Sequence, residues 1–478
     1  MRDLYYSGWK RAVCILVFSV GVLICAHVAG NTQRAAKNSG SDRRIRVVVM
    51  TDFPPLDAVP GGAGYGAPEK RSDTDDLQSM VRFLMYTNDF DVEGLVATSG
   101  TFANIARKTN IMSILDAYSD VYGNLHQHDA HYPSPAVLKS ITWEGASGTY
   151  GKPAREIMGE GRDSEASNQI VRLLAKPDTR PIWFCVWGGT ADLAQAIWRI
   201  QSRCTAKAAS EMLSKIRIYS IGLQDGTGQW LLDTFPEMFI IASTGNYMGM
   251  FNSAVGSDHS VCDLDWVNKY IRTNHGKLGQ CYPRSGFYPE TPGVWEGDTP
   301  SVLYLISANL GLNDPEMPNE PSWGGRFQRV SQNTNHWIDA PGGAKNIWMW
   351  REAFQNDFAA RMECCVTGAQ NTSRPPQIAL RCKRQREVTV GDVIELRASV
   401  IGGRRDNIVS RWRIADECLP LSSPAIIDHA DSCDRAVLHV PNLPGTNIRI
   451  LLEATATRLG QPTLTRYEYV KLTIKGIK

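Results

Sequence analysis

The 478-residue sequence predicts an α/β architecture followed by an all-β one. A mostly parallel sheet with flanking helices is expected over residues 44–372, and a β-sandwich of immunoglobulin-like type over residues 373–478. Three observations predict this. Short apolar runs alternate with stretches of helical period from Arg44 to about Gly368. The alternation stops at Asn371-Thr-Ser-Arg-Pro-Pro. Beyond that phrase only strand-like runs follow, separated by Gly/Asp/Pro turns.

Before the first strand, Lys10 and Arg11 precede an apolar run from Ala12 to Ala29, closed by the small pair Ala29-Gly30. Residues 1–30 therefore read as a cleaved secretory signal, and the expected location is extracellular. A membrane anchor is the alternative, because the run nears the ~20 residues that span a bilayer. No later run is long and apolar enough to span, so no membrane contact is expected after cleavage.

Arg46–Met50 is a β-branched run that reads as a buried strand. Asp75–Tyr86 follows, with Leu77, Met80, Val81, Leu84 and Met85 on one face of a helix. Val92–Thr98 and Pro181–Trp187 are further strands, and the second leads into a helix at Ala191–Ile200. Lys215–Gly222 and Met238–Ser243 complete the series. In the C-terminal part, Glu387–Val400, Asn407–Ile414, Arg435–Val440, Asn447–Ala456 and Tyr467–Ile474 have strand character.

Composition removes several classes of function. Lys+Arg total 51 and Asp+Glu 49, a net charge of +2, so no electrostatic case exists for a nucleic acid polymer as partner. A hydrophobic fraction of 43% excludes a disordered chain. Of 11 cysteines, two lie in the leader. Export permits disulfides among the rest, with Cys418–Cys433 and Cys262–Cys281 as candidate pairs. No Cys/His spacing suits zinc. The oligomeric state stays open between monomer and homo-oligomer.

Parallel sheets bind ligands beyond the carboxyl ends of their strands, and carboxylates gather there. Asp52 lies two residues past the first predicted strand, Asp75-Asp76 opens the next helix, and Asp298 opens a later one. Trp187-Gly188-Gly189 ends a middle strand. Hard oxygen donors of this kind suit Ca²⁺. For any one of these residues the competing reading is a helix cap.

At this point the sequence resembles a known family. MTDF…SDTDDLQSMVRFLMYTNDFDVEGLVATS resembles the opening of the nucleoside hydrolase superfamily. WGGTADLAQAIW, QDGTGQWLLDTFPEMFIIAS, EGDTPSVLYLI, GLNDPEMPNEPSWGGRFQ and FQNDFAARM are similar to its secreted branch, often labelled cellulose-binding, which carries a C-terminal immunoglobulin-like domain. The resemblance implies a Rossmann-like, nucleoside-hydrolase-like first domain. It also implies that Asp52 binds Ca²⁺ and acts as base toward water, and that Asp75 contacts the sugar. Asp76, the Trp187 backbone carbonyl and Asp298 would be the remaining calcium ligands.

The chain departs from that pattern in three places. Met50 stands where the family has its first Asp, about twenty-two residues separate Asp52 from Asp75, and Gly297 replaces the His before the late Asp. These departures move the expected substrate away from nucleosides and toward another glycoside or carbohydrate. Asp225 and Gln229 occupy the stretch of the ribose grip, and Asn335-His336-Trp337 is a polar-aromatic group expected to reach the cleft. Trp143, Trp230, Trp295, Trp323 and Trp337 lie in loop-like segments where an indole could stack on a sugar. The expected function is a secreted calcium-dependent hydrolase of N- or O-glycosidic bonds. The alternative is a non-catalytic polysaccharide (cellulose)-binding protein on the same scaffold.

Overall fold

The computed structural model describes residues 44–58, 74–286, 290–369, 371–372, 374–415 and 426–476. The expected leader at 1–30 and Cys418 lie outside the described residues. Eight strands form the first sheet: β1 (Ile45–Thr51), β2 (Phe90–Ala97), β3 (Thr142–Glu144), β4 (Ile182–Val186), β5 (Ile216–Ile221), β6 (Phe239–Ser243), β7 (Phe327–Arg329) and β8 (His336–Asp339). Their order is β3-β2-β1-β4-β5-β6-β8-β7, parallel except for the antiparallel edge pair β7–β8. The chain builds outward from β1 through β2 to β3, then returns to the other side of β1 with β4. That reversal opens a crevice at the carboxyl ends of β1 and β4, where doubly wound sheets hold ligands.

β1 shows why its sequence has no polar alternation. Val47 and Val49 face one buried cluster with Leu77, Trp183 and Tyr304, whereas Val48 and Met50 face a second with Ile170, Phe184 and Ile197. A strand covered on both faces must be apolar throughout. The helices Asp75–Leu84 and Lys108–His128 cover the first face, and Glu165–Ala175 and Ala191–Arg203 cover the second. Among the described residues, no helix is long and apolar enough to cross a membrane.

The C-terminal strands pack as a sandwich. One sheet runs β10 (Gln385–Thr389), β17 (Leu464–Lys475), β16 (Asn447–Thr457) and β13 (Asn407–Ile414). The other runs β11 (Val393–Leu396), β15 (Ala436–His439) and β14 (Ile426–Asp428), with β9 (Gln377–Leu380) and β12 (Ala398–Ile401) forming a separate pair. Pairing is antiparallel except for β10 with β17. The run expected as one strand, Glu387–Val400, is divided among β10, β11 and β12. Asp392 turns the chain by accepting the Thr389 N–H at 2.8 Å and donating its own N–H to the Thr389 carbonyl at 3.0 Å, with Gly391 at φ +85°. A left-handed turn there moves the chain from one sheet to the other.

Cys262 and Cys281 are both free, so the expected pair is not formed. Cys262 is buried and lies 3.3 Å from Asn252 Oδ1 and 3.2 Å from Arg351 Nη1, while Cys281 closes the short helix Gly276–Gln280 elsewhere. Cys433 is likewise free.

Candidate functional site

Asp52 directly follows β1 at the crevice and is 2% exposed. Its carboxylate accepts the backbone N–H groups of Phe102 and Ala103 from the loop after β2. Glycines make room for it. A Cβ on Gly188 would lie 3.0 Å from Asp52 Oδ1, and one on Gly100 would collide with the other oxygen. In the turn after β4, Gly188 thus leaves room for Asp52, whereas Gly189 leaves room for Asp225, whose Oδ2 would collide with a Cβ there. Burial pushes the Asp52 carboxyl up to about 7, and the neighbouring Asp75 charge adds to the rise against those N–H donors.

The helix that follows opens with Thr74 as N-cap, and its hydroxyl donates to the Ser285 carbonyl rather than capping the helix. Asp75 and Asp76 sit inside the first turn, where the helix dipole favours anions. Asp76 accepts the Thr51 hydroxyl, which ties it to the end of β1. Asp75 Oδ2 accepts the Gly297 N–H at 3.1 Å. Burial, then the charges of Asp52 and Asp75, hold the Asp76 carboxyl well above the usual range.

One carboxylate oxygen each from Asp75, Asp76 and Asp298 lies within 4.8 Å of the others. Oxygen ligands at 2.3–2.6 Å from a shared Ca²⁺ are at most about 5 Å apart, so the spacing admits one ion. The donors fit a hard divalent cation in type and in their mutual repulsion, and they supply three of the roughly six to eight oxygens that Ca²⁺ takes. The Trp187 carbonyl follows β4 in the same crevice and accepts the Gln224 amide, whose Oε1 accepts the Thr101 N–H at 2.8 Å. Gln224 therefore joins the loops after β2, β4 and β5.

Asp298 is positioned by the helix of Asp75 and Asp76. Gln78 and Arg82, one turn apart, lie off its apolar stripe yet are 0% exposed, because Pro283, the segment 293–296 and the Arg351–Glu363 helix cover that side too. Gln78 accepts the N–H groups of Trp295 (2.6 Å) and Glu296 (3.1 Å) and donates to the carbonyls of Pro283 and Gly293 at 3.0 Å each. Arg82 grips Glu296 with two bonds of 2.5 and 2.9 Å. Tyr282 and Thr299 donate to the same carboxylate at 2.6 and 2.8 Å. Arg82→Met leaves Glu296 buried with its cation removed, and the expected loss is about 3–5 kcal/mol in urea unfolding. A loss below ~1 kcal/mol would remove the clamp from the account.

Gly297 has a steric reason as well. A Cβ there would lie 2.6 Å from Asp75 Oδ2 and 3.2 Å from Phe251, so the family's His has no space in this arrangement.

The remaining expected contacts are placed differently. Asp225 N-caps the helix Gly226–Thr234, accepting the N–H groups of Thr227 (2.9 Å) and Ala191 (3.2 Å) and the Thr227 hydroxyl. Gln229 is exposed on that helix and donates to Asp233 at 2.8 Å. Asn335, His336 and Trp337 lie at the amino-terminal end of β8, which runs parallel to β6, hence at the end of the sheet opposite the carboxylates. There His336 Nε2 is 2.9 Å from the Phe235 carbonyl, and Trp337 Nε1 donates to Asn335 Oδ1 at 3.1 Å.

Three tryptophans expected in loops are core residues. Trp143, Trp295 and Trp323 are 7%, 1% and 0% exposed: Trp143 lies in strand β3 and packs into the sheet's second buried cluster, and Trp295 and Trp323 sit in segments that fold back over the core. The exposed aromatic among the described residues is Tyr150, at 46%. Its N–H donates to Asn104 Oδ1 at 3.0 Å, and its neighbour Thr149 reaches Ser99 and Asp225, so its loop is fastened beside the crevice.

A family described as "Cellulose-binding Sde182, nucleoside hydrolase-like domain" matches residues 69–327, a span that holds Asp75, Asp76, Trp187 and Asp298. Among solved structures, a nucleoside hydrolase-related hypothetical protein from Saccharophagus degradans, associated with carbohydrate metabolism, is similar over 90% of this chain and 100% of its own. Its identity is 29% and its TM-score 0.74. The titin M10–obscurin-like 1 immunoglobulin complex is matched over 22% of this chain and 97% of its own, with 21% identity and a TM-score of 0.14. The titin M3 domain is matched over 20% and 96%, with 18% identity and a TM-score of 0.14. No curated protein matches the chain.

Proposed function

Because this chain belongs to the cellulose-binding Sde182 family with a nucleoside hydrolase-like domain, we propose that it is a secreted, calcium-dependent hydrolase of glycosidic bonds acting on a carbohydrate. The observation that carries this reading is the grouping of Asp75, Asp76 and Asp298 within 4.8 Å at the crevice that also holds Asp52. Asp52, Asp76, Asp298 and the Trp187 carbonyl would hold the ion, which supplies a Lewis acid for sugar hydroxyls and a lowered pKa for bound water.

The protein groups divide the remaining work. Asp52 is the general base: it would take a proton from the water that attacks the anomeric carbon. The Phe102 and Ala103 N–H groups fix the direction of its carboxylate before substrate arrives. Asp75, the half-buried member of the trio, would accept a hydrogen bond from a sugar hydroxyl. Gly297 offers no proton to a leaving group, so substrates with good leaving groups should react fastest.

Asp52→Asn keeps the shape of the side chain and removes the base. Turnover of an aryl glycoside should fall by about 10²–10⁴-fold with the circular dichroism spectrum unchanged. An undiminished rate would take Asp52 out of the mechanism. The second reading, a non-catalytic cellulose binder, is favoured by Gly297 and by the exposed Tyr150. Under that reading no glycoside is turned over, and retention on insoluble cellulose survives Asp52→Asn but is lost in Tyr150→Ala.

A further inference from the structure

A groove of about 630 Å³ begins at Leu56, four residues past Asp52, and runs between the Lys108–His128 helix and the segment 272–284. Three cations line it, Arg272, Lys277 and Arg284, against one carboxylate, Asp116. Two of these four charges are already satisfied. Lys277 pairs with Asp120 at 2.6 Å, and Asp116 pairs with Lys139.

The two guanidiniums are not satisfied in this way. Arg272 is half-buried and donates to the backbone carbonyls of Gln280 (3.4 Å) and Tyr282. Arg284 is exposed, and neither arginine is paired with a carboxylate among the described residues. Burial pushes the Arg272 guanidinium down, and the Arg284 charge pushes it further. Two like charges drawn to one groove, with no carboxylate paired to either among the described residues, are unfavourable until an anion enters. A guanidinium fork suits a planar or tetrahedral oxyanion by paired N–H donors.

We infer that this groove binds an oxyanion, and that its carrier is the carboxylate of a uronate unit in an acidic glycan. The oxyanion site stands on the groove and its arginines alone. The glycan as carrier rests on the carbohydrate function proposed above. The Pro283 carbonyl at its wall accepts Gln78 of the Asp75–Leu84 helix, so one ordered segment connects groove and carboxylate site.

Isothermal titration calorimetry of the full-length protein with trigalacturonate, neutral cellotriose and sodium sulfate tests this. The wild type should bind trigalacturonate at least about tenfold tighter than cellotriose at low salt, with the difference shrinking as salt rises. Arg284→Gln, at an exposed position, should fold normally and lose that preference. Arg272→Lys keeps the charge but not the fork and should lose most of it. A wild type without preference for the uronate, or an Arg284→Gln protein that keeps it, overturns the inference. Cellotriose bound as tightly as trigalacturonate would leave the proposed carbohydrate function standing and remove the acidic carrier. Sulfate binding that Arg284→Gln abolishes, with no oligosaccharide bound, would keep the oxyanion site and defeat the glycan.

Discussion

Calcium added to the chelator-treated full-length protein is expected to raise its unfolding midpoint, and Asp76→Ala is expected to abolish the response. A ligand that binds only the folded state at a hundredfold excess over Kd stabilises it by about 2.7 kcal/mol. With an unfolding entropy of about 2.1 cal/mol/K per residue, that is roughly a 3 °C shift for a cooperative unit of this length. The reason for choosing Asp76 is its place in the charge pattern. It lies buried between Asp52 and Asp75, and both charges oppose its ionisation. Removing it deletes a ligand and relieves the repulsion in the calcium-free protein, so the variant should unfold at the same temperature with or without calcium.

The control is Asp225→Ala. That carboxylate is nearly as buried, yet its oxygens are spent on the cap of Gly226–Thr234 and on Ala191. Loss of a cap costs about 0.5–2 kcal/mol, so Asp225→Ala should be less stable while keeping the whole calcium shift. A wild type indifferent to calcium would sink the metal site. So would an Asp76→Ala protein that still responds.

The contrast between Asp76 and Asp225 also shows what could be read from the sequence. β1 and the helix after Asp75 were legible because a doubly buried strand and an amphipathic helix each leave a local pattern. The carboxylates at their ends were legible because a strand end and a helix start are local positions too. The role of Asp225 was not, since an Asp before a helix looks the same whether it caps or binds.

Residues 335–337 illustrate a different limit. Whether a strand's first or last residues face the crevice depends on its direction in the sheet, and β8 takes its direction from pairing with β6, almost a hundred residues earlier. Trp323 reads as a loop residue because its partners Phe354 and Tyr467 are distant in sequence. The clamp of Gln78 and Arg82 on residues 293–296 is likewise a contact across more than two hundred residues.

Tyr467 leads to the second large effect. Although it lies in β17 of the sandwich, it belongs to the same buried cluster as β1 and the Asp75–Leu84 helix, together with Leu451. Its hydroxyl lies 3.3 Å from Trp323 Nε1, its N–H donates to the Leu310 carbonyl at 3.1 Å, and its ring packs edge-on against Trp323 and Trp350. Gly311 is needed for this approach, because a Cβ there would collide with the Tyr467 carbonyl. Next to it, Arg466 reaches the buried Asp357 at 2.7 Å, and Arg449 lies 3.4 Å from the buried Glu320. Arg466 and Arg361 together overcome the burial of Asp357 and hold its carboxyl below the usual range.

A chain ending at residue 372 would therefore uncover Trp323 and Trp350 and strip a cation from each of two buried carboxylates. Leaving even one buried charge without its partner costs about 3–5 kcal/mol, and ordinary domains have only 5–15 kcal/mol in total. Residues 44–372 alone are expected to be insoluble or to lack near-ultraviolet circular dichroism. Tyr467→Ala in the full chain should lose about 3–5 kcal/mol. Residues 44–478 form one compact unit, so calorimetry of the intact protein should show a single transition. Two well-separated transitions, or a folded and soluble 44–372 fragment, would mean that the sandwich is an attached module. In that case the shape of the carboxylate site would owe nothing to it, and the calcium shift would persist unchanged in the fragment.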